Sequence, residues 1–219
     1  MNEATREQLR NALPPFALQL ARDLRWQLCS RRTRAAARRL LARGGEVRLE
    51  IGSGAVAGRD GWTTLDLVAG ADLYWDLRHP LPFPDASLAA VYSAHVMEHF
   101  AYRDLLALLR DCHRALRPGG RIDACVPNGG IYLRAYANPA GFDRRFLSFA
   151  PAVISDLPID IVNYMAYMNT EHRHLFDETN LTRVLEQAGF VRAQLRPWDP
   201  QRDPAGRDHE SLCAFAFKP

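Results

Sequence analysis

Apolar and polar positions alternate along this chain in two rhythms, one with a period of two and one with a period near 3.6. Val47 to Ile51 is a short run of β-branched and apolar residues stopped by Gly52-Ser53-Gly54, which predicts a strand and a glycine turn. Thr63 to Leu67 predicts a second strand with Asp66 at its end, and Leu88 to Ala94 and Arg121 to Val126 predict two more. Between these last two, Tyr102 to Leu116 carries Leu105, Leu106, Leu108, Leu109 and Leu116 on one face and predicts an amphipathic helix stopped by Arg117-Pro118-Gly119-Gly120. Asp177-Glu178-Thr179-Asn180 supplies helix-start chemistry before Leu181, Val184 and Leu185, and Gly189 ends that helix. Phe190 to Trp198 and Leu212 to Phe217 predict the final two strands. Alternation of this kind predicts an α/β fold, with a mostly parallel sheet and helices on its faces.

Two stretches fall outside the alternation. Leu18 to Leu28 and Arg31 to Leu41 predict two helical pieces ahead of the sheet, closed by Gly44-Gly45. The second carries Arg31, Arg32, Arg34, Arg38 and Arg39, with Arg43 just beyond it. That row reads either as a solvated helix face or as a weak docking patch for an anionic membrane surface, a phosphorylated substrate or RNA. Ile131 to Arg173 is longer than a plain connection needs and is rich in aromatics, with Pro139, Pro151 and Pro158 interrupting it. It predicts a helical cap. The expected division is therefore an arginine-rich extension over 1–44 and a main domain over 45–219, with the cap at about 131–173.

Composition adds limits. At 219 residues the chain suits one domain with a small appendage, and a formal charge of +3 does not by itself mark a nucleic-acid binder. The cysteines Cys29, Cys112, Cys125 and Cys213 form no Cys-x-x-Cys pair, which points to reduced thiols in a cytoplasmic protein. Met1 to Arg6 lacks the apolar core of a signal peptide, and no apolar run is long enough to span a bilayer.

Taken in order, Glu50-Ile51-Gly52-Ser53-Gly54, Thr64-Leu65-Asp66-Leu67, Leu73-Tyr74-Trp75-Asp76-Leu77, Pro80 to Asp85, Val91 to Phe100 and Leu116 to Arg121 resemble the class I S-adenosylmethionine-dependent methyltransferases. The resemblance covers about Val47 to the C-terminus. It implies a Rossmann-like doubly wound sheet of seven strands, mostly parallel, with an antiparallel edge hairpin. The implied cofactor is S-adenosylmethionine. By the same resemblance, Glu50 supports the loop or the methionine amino group, Gly52, Ser53 and Gly54 face the methionine part, Asp66 with Leu67 holds the ribose, and Asp76-Leu77 meets the adenine. Ala94-His95 closes the set. A carboxylate at Asp66 suits the task because it accepts from both ribose hydroxyls. One departure stands out: Gly54 and Thr63 are too close for the full helix many relatives place there, and Val56 stands where a third glycine is expected.

His95-Val96-Met97-Glu98-His99 matches the pattern H-x-x-E-H of inverted zinc peptidases, but it follows a predicted strand rather than lying on a helix. Glu98 and His99 are open to three roles: a general base, a divalent-metal ligand pair, or a brace for the loop. No metal site is assigned from sequence. His172 and His174, before the last helix, join His99 as candidate bases near the acceptor, and Arg173 as a candidate anion contact. The resulting expectation is a cytoplasmic methyltransferase acting on a hydroxyl of a small molecule, with a sugar or glycan precursor suggested by analogy. The alternative is a non-catalytic module of the same fold that docks through its basic helix.

Overall fold

The computed structural model describes the backbone of residues 15–219 and the side chains from Trp26 onward. Seven strands form one sheet in the order β3-β2-β1-β4-β5-β7-β6. They are β1 (Arg48–Ile51), β2 (Trp62–Asp66), β3 (Leu73–Tyr74), β4 (Leu88–Ala94), β5 (Leu116–Pro127), β6 (Val191–Arg196) and β7 (Ser211–Phe217). The first five pair in parallel, and β7 runs antiparallel between β5 and β6. This is the expected doubly wound sheet with its edge hairpin. The chain winds outward through β1, β2 and β3 and then returns to β4 beside β1, so a crevice opens where strand order reverses.

One helix, α1 (Pro15–Ala42), replaces the two predicted pieces and continues through Cys29-Ser30. No proline or glycine lies within that join, so nothing there interrupts the hydrogen-bond ladder. The side chains of Leu18, Leu20 and Leu24, and the terminal stretch Met1 to Arg6, lie outside what the structure describes. The helix is tied to the sheet edge: Thr33 Oγ1 donates to the Tyr74 carbonyl at 2.8 Å, and Trp26 packs on Trp75 with ring centroids 4.9 Å apart. Ala37 is fully buried, whereas Arg31, Arg32, Arg34, Arg38, Arg39 and Arg43 are exposed. Gly44 and Gly45, both with φ near +80°, end it (75° and 85°).

Helix α2 (Tyr102–Ala115) buries Leu105, Leu108, Leu109, Cys112 and Ala115, the i, i+3, i+4, i+7 face that its leucines predict. Arg117 to Gly120 does not lie outside the sheet as expected. Strand β5 starts at Leu116, pairs with Leu88 there, and resumes beside Ala90 only at Arg121, so the Pro-Gly-Gly segment is absorbed as a bulge. Helix α5 (Glu178–Gln187) begins in a capping box, with Asp177 accepting from Asn180 N while Asn180 accepts from Asp177 N.

Between β5 and α5 lie α3 (Gly129–Ala137), α4 (Pro158–Tyr167) and three 3-10 turns. They bury a cluster of their own, with Tyr132, Ala135, Ala152, Ile161, Tyr164 and Met165 at its centre. Among the described residues, no helix is long and apolar enough to cross a membrane.

Candidate active site

Strand β1 ends at Ile51, and Gly52 turns the chain with φ +69°. A Cβ at Gly52 would stand 2.2 Å from Val96 Cγ2, so only glycine fits where the loop after β1 passes the loop after β4. From Gly54 to Trp62 the chain forms no helix, the loop outcome of the shortness noted above. Two aspartates hold that loop: Asp66 Oδ2 accepts from Gly54 N at 2.8 Å, while its Oδ1 accepts from Val68 N in the next loop at 3.1 Å, and Asp72 Oδ2 accepts from Gly58 N at 3.0 Å.

A crevice of about 800 Å³ opens at these strand ends. Gly52, Gly54, Asp66, Leu67, Asp76, Leu77, His95 and His99 line it. Ser53 and Ala94 are adjacent in sequence but are not among its lining residues. Glu50 faces elsewhere, into a separate cavity with Arg48, Arg59 and Tyr92, because side chains alternate along β1 and its neighbours Leu49 and Ile51 enter the core. Burial raises the Glu50 pKa there, opposed by Arg59. Burial also disfavours the charge on Asp76, but the Arg78 guanidinium more than offsets it and holds that carboxyl below its usual value. The Arg78 Nη2 to Asp76 Oδ2 distance is 2.5 Å.

The loop after β4 supplies the other wall. His95 adopts φ +53°, a left-handed conformation that costs a non-glycine residue energy and that clusters at functional sites. Its Nε2 pairs with Ser211 Oγ at 2.9 Å, and burial, helped by the nearby Arg207, pulls its pKa down to about 3. Met97 to His99 then form a 3-10 turn. The Glu98 carbonyl accepts from Arg173 N at 2.7 Å and His174 N at 3.1 Å, which brings the 171–174 segment alongside.

A second cavity, of about 250 Å³, lies under the cap. His95, His99 and Glu171 belong to its wall and to that of the crevice, so the two spaces meet there. His172 lines the second cavity. His174 lines neither; it stacks on Tyr102 at 5.9 Å and meets Phe176 edge-on at 4.7 Å. Arg173 lines the crevice. Glu210 and Arg207, from the β6–β7 connection, also line the second cavity and went unseen in the sequence. The signal available was the length of that connection, unusual for a hairpin.

A mostly parallel doubly wound sheet receives its ligand at the switch point, where this chain places its glycine turn and Asp66. A methyltransferase-domain family model matches residues 20–195, and the chain belongs to that family, the class I S-adenosylmethionine-dependent methyltransferases. Its cofactor is S-adenosylmethionine, and the glycine cradle and Asp66 carboxylate fit such a group. No functionally curated protein matches the chain. Among solved structures it is similar to PigF with SAH (14% identity, 80% of this chain and 56% of that one, TM-score 0.50). It is also similar to phosphoethanolamine N-methyltransferase 2 of Haemonchus contortus in complex with S-adenosyl-L-methionine (13%, 86% and 52%, 0.50). A SAM-dependent methyltransferase of Archaeoglobus fulgidus matches at 14% identity over 91% of this chain and 99% of that one, with a TM-score of 0.49. The chain spans about half the length of the first two. At their identities, the likeness to those two is one of fold.

Proposed function

We propose that the protein methylates a hydroxyl oxygen of a small molecule, of the sugar or glycan-precursor class, with the cofactor in the large crevice and the acceptor in the cavity beneath the cap. The observation that carries this reading is the junction of the two spaces at His95, His99 and Glu171. S-Adenosylmethionine supplies a methyl group already activated by its sulfonium charge. The chain therefore has to bind, align and exclude water, and to receive one proton.

In this reading Gly52 and Gly54 admit the cofactor to the main chain, Ser53 shapes their turn, and Asp66 with Leu67 holds the ribose. Asp76 and Leu77 contact the base, Ala94-His95 closes the far side, and Glu50 supports the loop from below. His99 and His172 face the acceptor cavity and take the hydroxyl proton at Nε2; each Nδ1 is engaged by a backbone carbonyl. His174, away from both spaces, has a packing role instead. The arginine-rich 1–44 segment is an appendage to the 45–219 methyltransferase domain, and the 131–173 cap sets specificity. Titration calorimetry with S-adenosylmethionine and S-adenosylhomocysteine, followed by a methyl-transfer screen of hydroxylated sugars, tests the proposal. Binding without transfer to any hydroxyl, but with transfer to amines, would replace oxygen by nitrogen as the acceptor. Absence of cofactor binding by folded protein would favour a non-catalytic module.

A further inference from the structure

Glu98 is the least satisfied polar residue of the site. Its side chain is 2% exposed, and neither carboxylate oxygen has a hydrogen-bond partner. Burying a carboxylate without donors is costly, and the general remedies are an ion pair, a proton or a metal. His95 Nδ1 stands 3.6 Å and His99 Nε2 3.9 Å from Oε1, both beyond hydrogen-bonding reach. Arg207 faces the same cavity but is paired with Glu210 at 2.8 Å.

The two flanking histidines are oriented in a specific way. His99 Nδ1 is 3.0 Å from the Glu171 carbonyl and His172 Nδ1 is 2.7 Å from the Met165 carbonyl. A carbonyl only accepts, so each Nδ1 carries a hydrogen, and in the neutral ring Nε2 is the nitrogen with the lone pair. Fixing of the distal nitrogen by a carbonyl is how metal-ligating histidines are held. One ligand atom from each of Glu98, His99 and His172 lies within 4.8 Å of the others. Ligands around a first-row metal at about 2.1 Å sit about 3.0–3.4 Å apart, so small side-chain adjustments close the set.

We propose that Glu98, His99 and His172 bind a divalent first-row transition-metal ion at the junction of the two cavities. Two imidazoles and one carboxylate suit such ions better than Mg²⁺ or Ca²⁺, which prefer all-oxygen sites. Three protein ligands leave positions open toward the acceptor cavity, where an acceptor oxygen is held and its ionised form favoured. That use of the ion rests on the methyl-transfer reading above, whereas its binding does not. With the ion bound, the Nε2 lone pairs are committed to it; the ion takes over their part in ionising the hydroxyl, whose proton passes to solvent water.

The test is Co²⁺ titration of chelator-treated full-length protein, read by visible absorption and calorimetry, with S-adenosylhomocysteine binding measured on the same sample. One equivalent of Co²⁺ binding at micromolar concentration is expected, lost in both Glu98→Gln and His172→Asn and retained in His79→Ala, a histidine stacked on Trp26 that lines neither cavity. S-Adenosylhomocysteine affinity should persist in the two ligand variants, which also shows that they are folded. No stoichiometric Co²⁺ binding by protein that still binds S-adenosylhomocysteine would overturn the metal site alone. Undiminished Co²⁺ binding in the two ligand variants would overturn it equally. Loss of S-adenosylhomocysteine binding by the wild-type protein, with Co²⁺ binding intact, would instead count against the methyltransferase reading of the crevice.

Discussion

The Asp66 carboxylate accepts a 2.8 Å hydrogen bond from the Gly54 amide, so the end of β2 directly braces the turn that follows β1. With no helix after Gly54 to anchor that turn, the Asp66 side chain both holds its start and faces the crevice. Asp66→Ala is expected to weaken S-adenosylmethionine binding by about 1.5–3 kcal/mol, which is about ten- to a hundredfold in Kd, the usual worth of hydrogen bonds to a charged group. The loss in unfolding free energy should be smaller, about 1 kcal/mol, because water can reach the freed amides. Calorimetry and urea unfolding measure the two separately, and unchanged affinity would remove Asp66 from the site.

Gly52 and Gly54 make a matched pair. Both have φ near +67° (69° and 65°), but a Cβ on Gly54 meets nothing within 4 Å, while one on Gly52 would strike Val96. Each alanine substitution should cost about 1–2 kcal/mol of stability from the left-handed backbone alone. Gly52→Ala should cost more and lower cofactor affinity further, since Val96 or the turn must move. Equal effects would show that the loops have room to part.

His95 should remain neutral across the physiological range. Its pKa is pulled down to about 3 in the folded protein, against 6.5 ordinarily. A lowered histidine pKa means the unfolded chain binds the proton more readily, so this contribution to stability is complete above pH 6.5 and erodes as pH falls from there toward 3. Nitrogen-15 chemical shifts of the ring check it: a titration midpoint near 6.5 would contradict the burial described here.

A different network governs the acid limb. Asp203 is bound by Arg196 at 2.6 and 2.7 Å and by the Tyr92 hydroxyl at 3.0 Å. Burial works against its charge, but Arg196 prevails and holds the carboxyl below its usual value of 3.8. Its stabilisation is therefore present above pH 3.8 and is lost as pH drops through the lower folded value. Asp203→Asn should cost about 3 kcal/mol at neutral pH, since it breaks a buried pair, and should flatten this part of the pH profile. Acid unfolding monitored by circular dichroism compares the two proteins.

His172 and His174 are expected to separate sharply in methyl transfer. His174→Ala removes aromatic stacking worth about 1 kcal/mol and should leave kcat nearly unchanged. His172→Asn should reduce kcat strongly while cofactor affinity holds. A comparable kcat loss in both would mean that His174 reaches the acceptor in the working enzyme.

The sequence by itself carried the α/β alternation, the glycine turn, the acid at the end of β2 and the amphipathic face of α2, because each depends on residues close together in the chain. Periodicity and turn chemistry are local, and the strand pattern at Val47–Ile51 or Leu88–Ala94 needs no partner to be recognised. Tertiary structure alone decided that Glu50 turns away from the crevice and that His172, not His174, reaches the cavity. Those outcomes follow from which face of β1 the sheet buries, the one with Leu49 and Ile51, and from the backbone pairing of Glu98 with Arg173 and His174. The meeting of Glu98, His99 and His172 likewise joins residues more than seventy positions apart. No spacing rule links such residues; only the folded sheet and its cap bring them to one place.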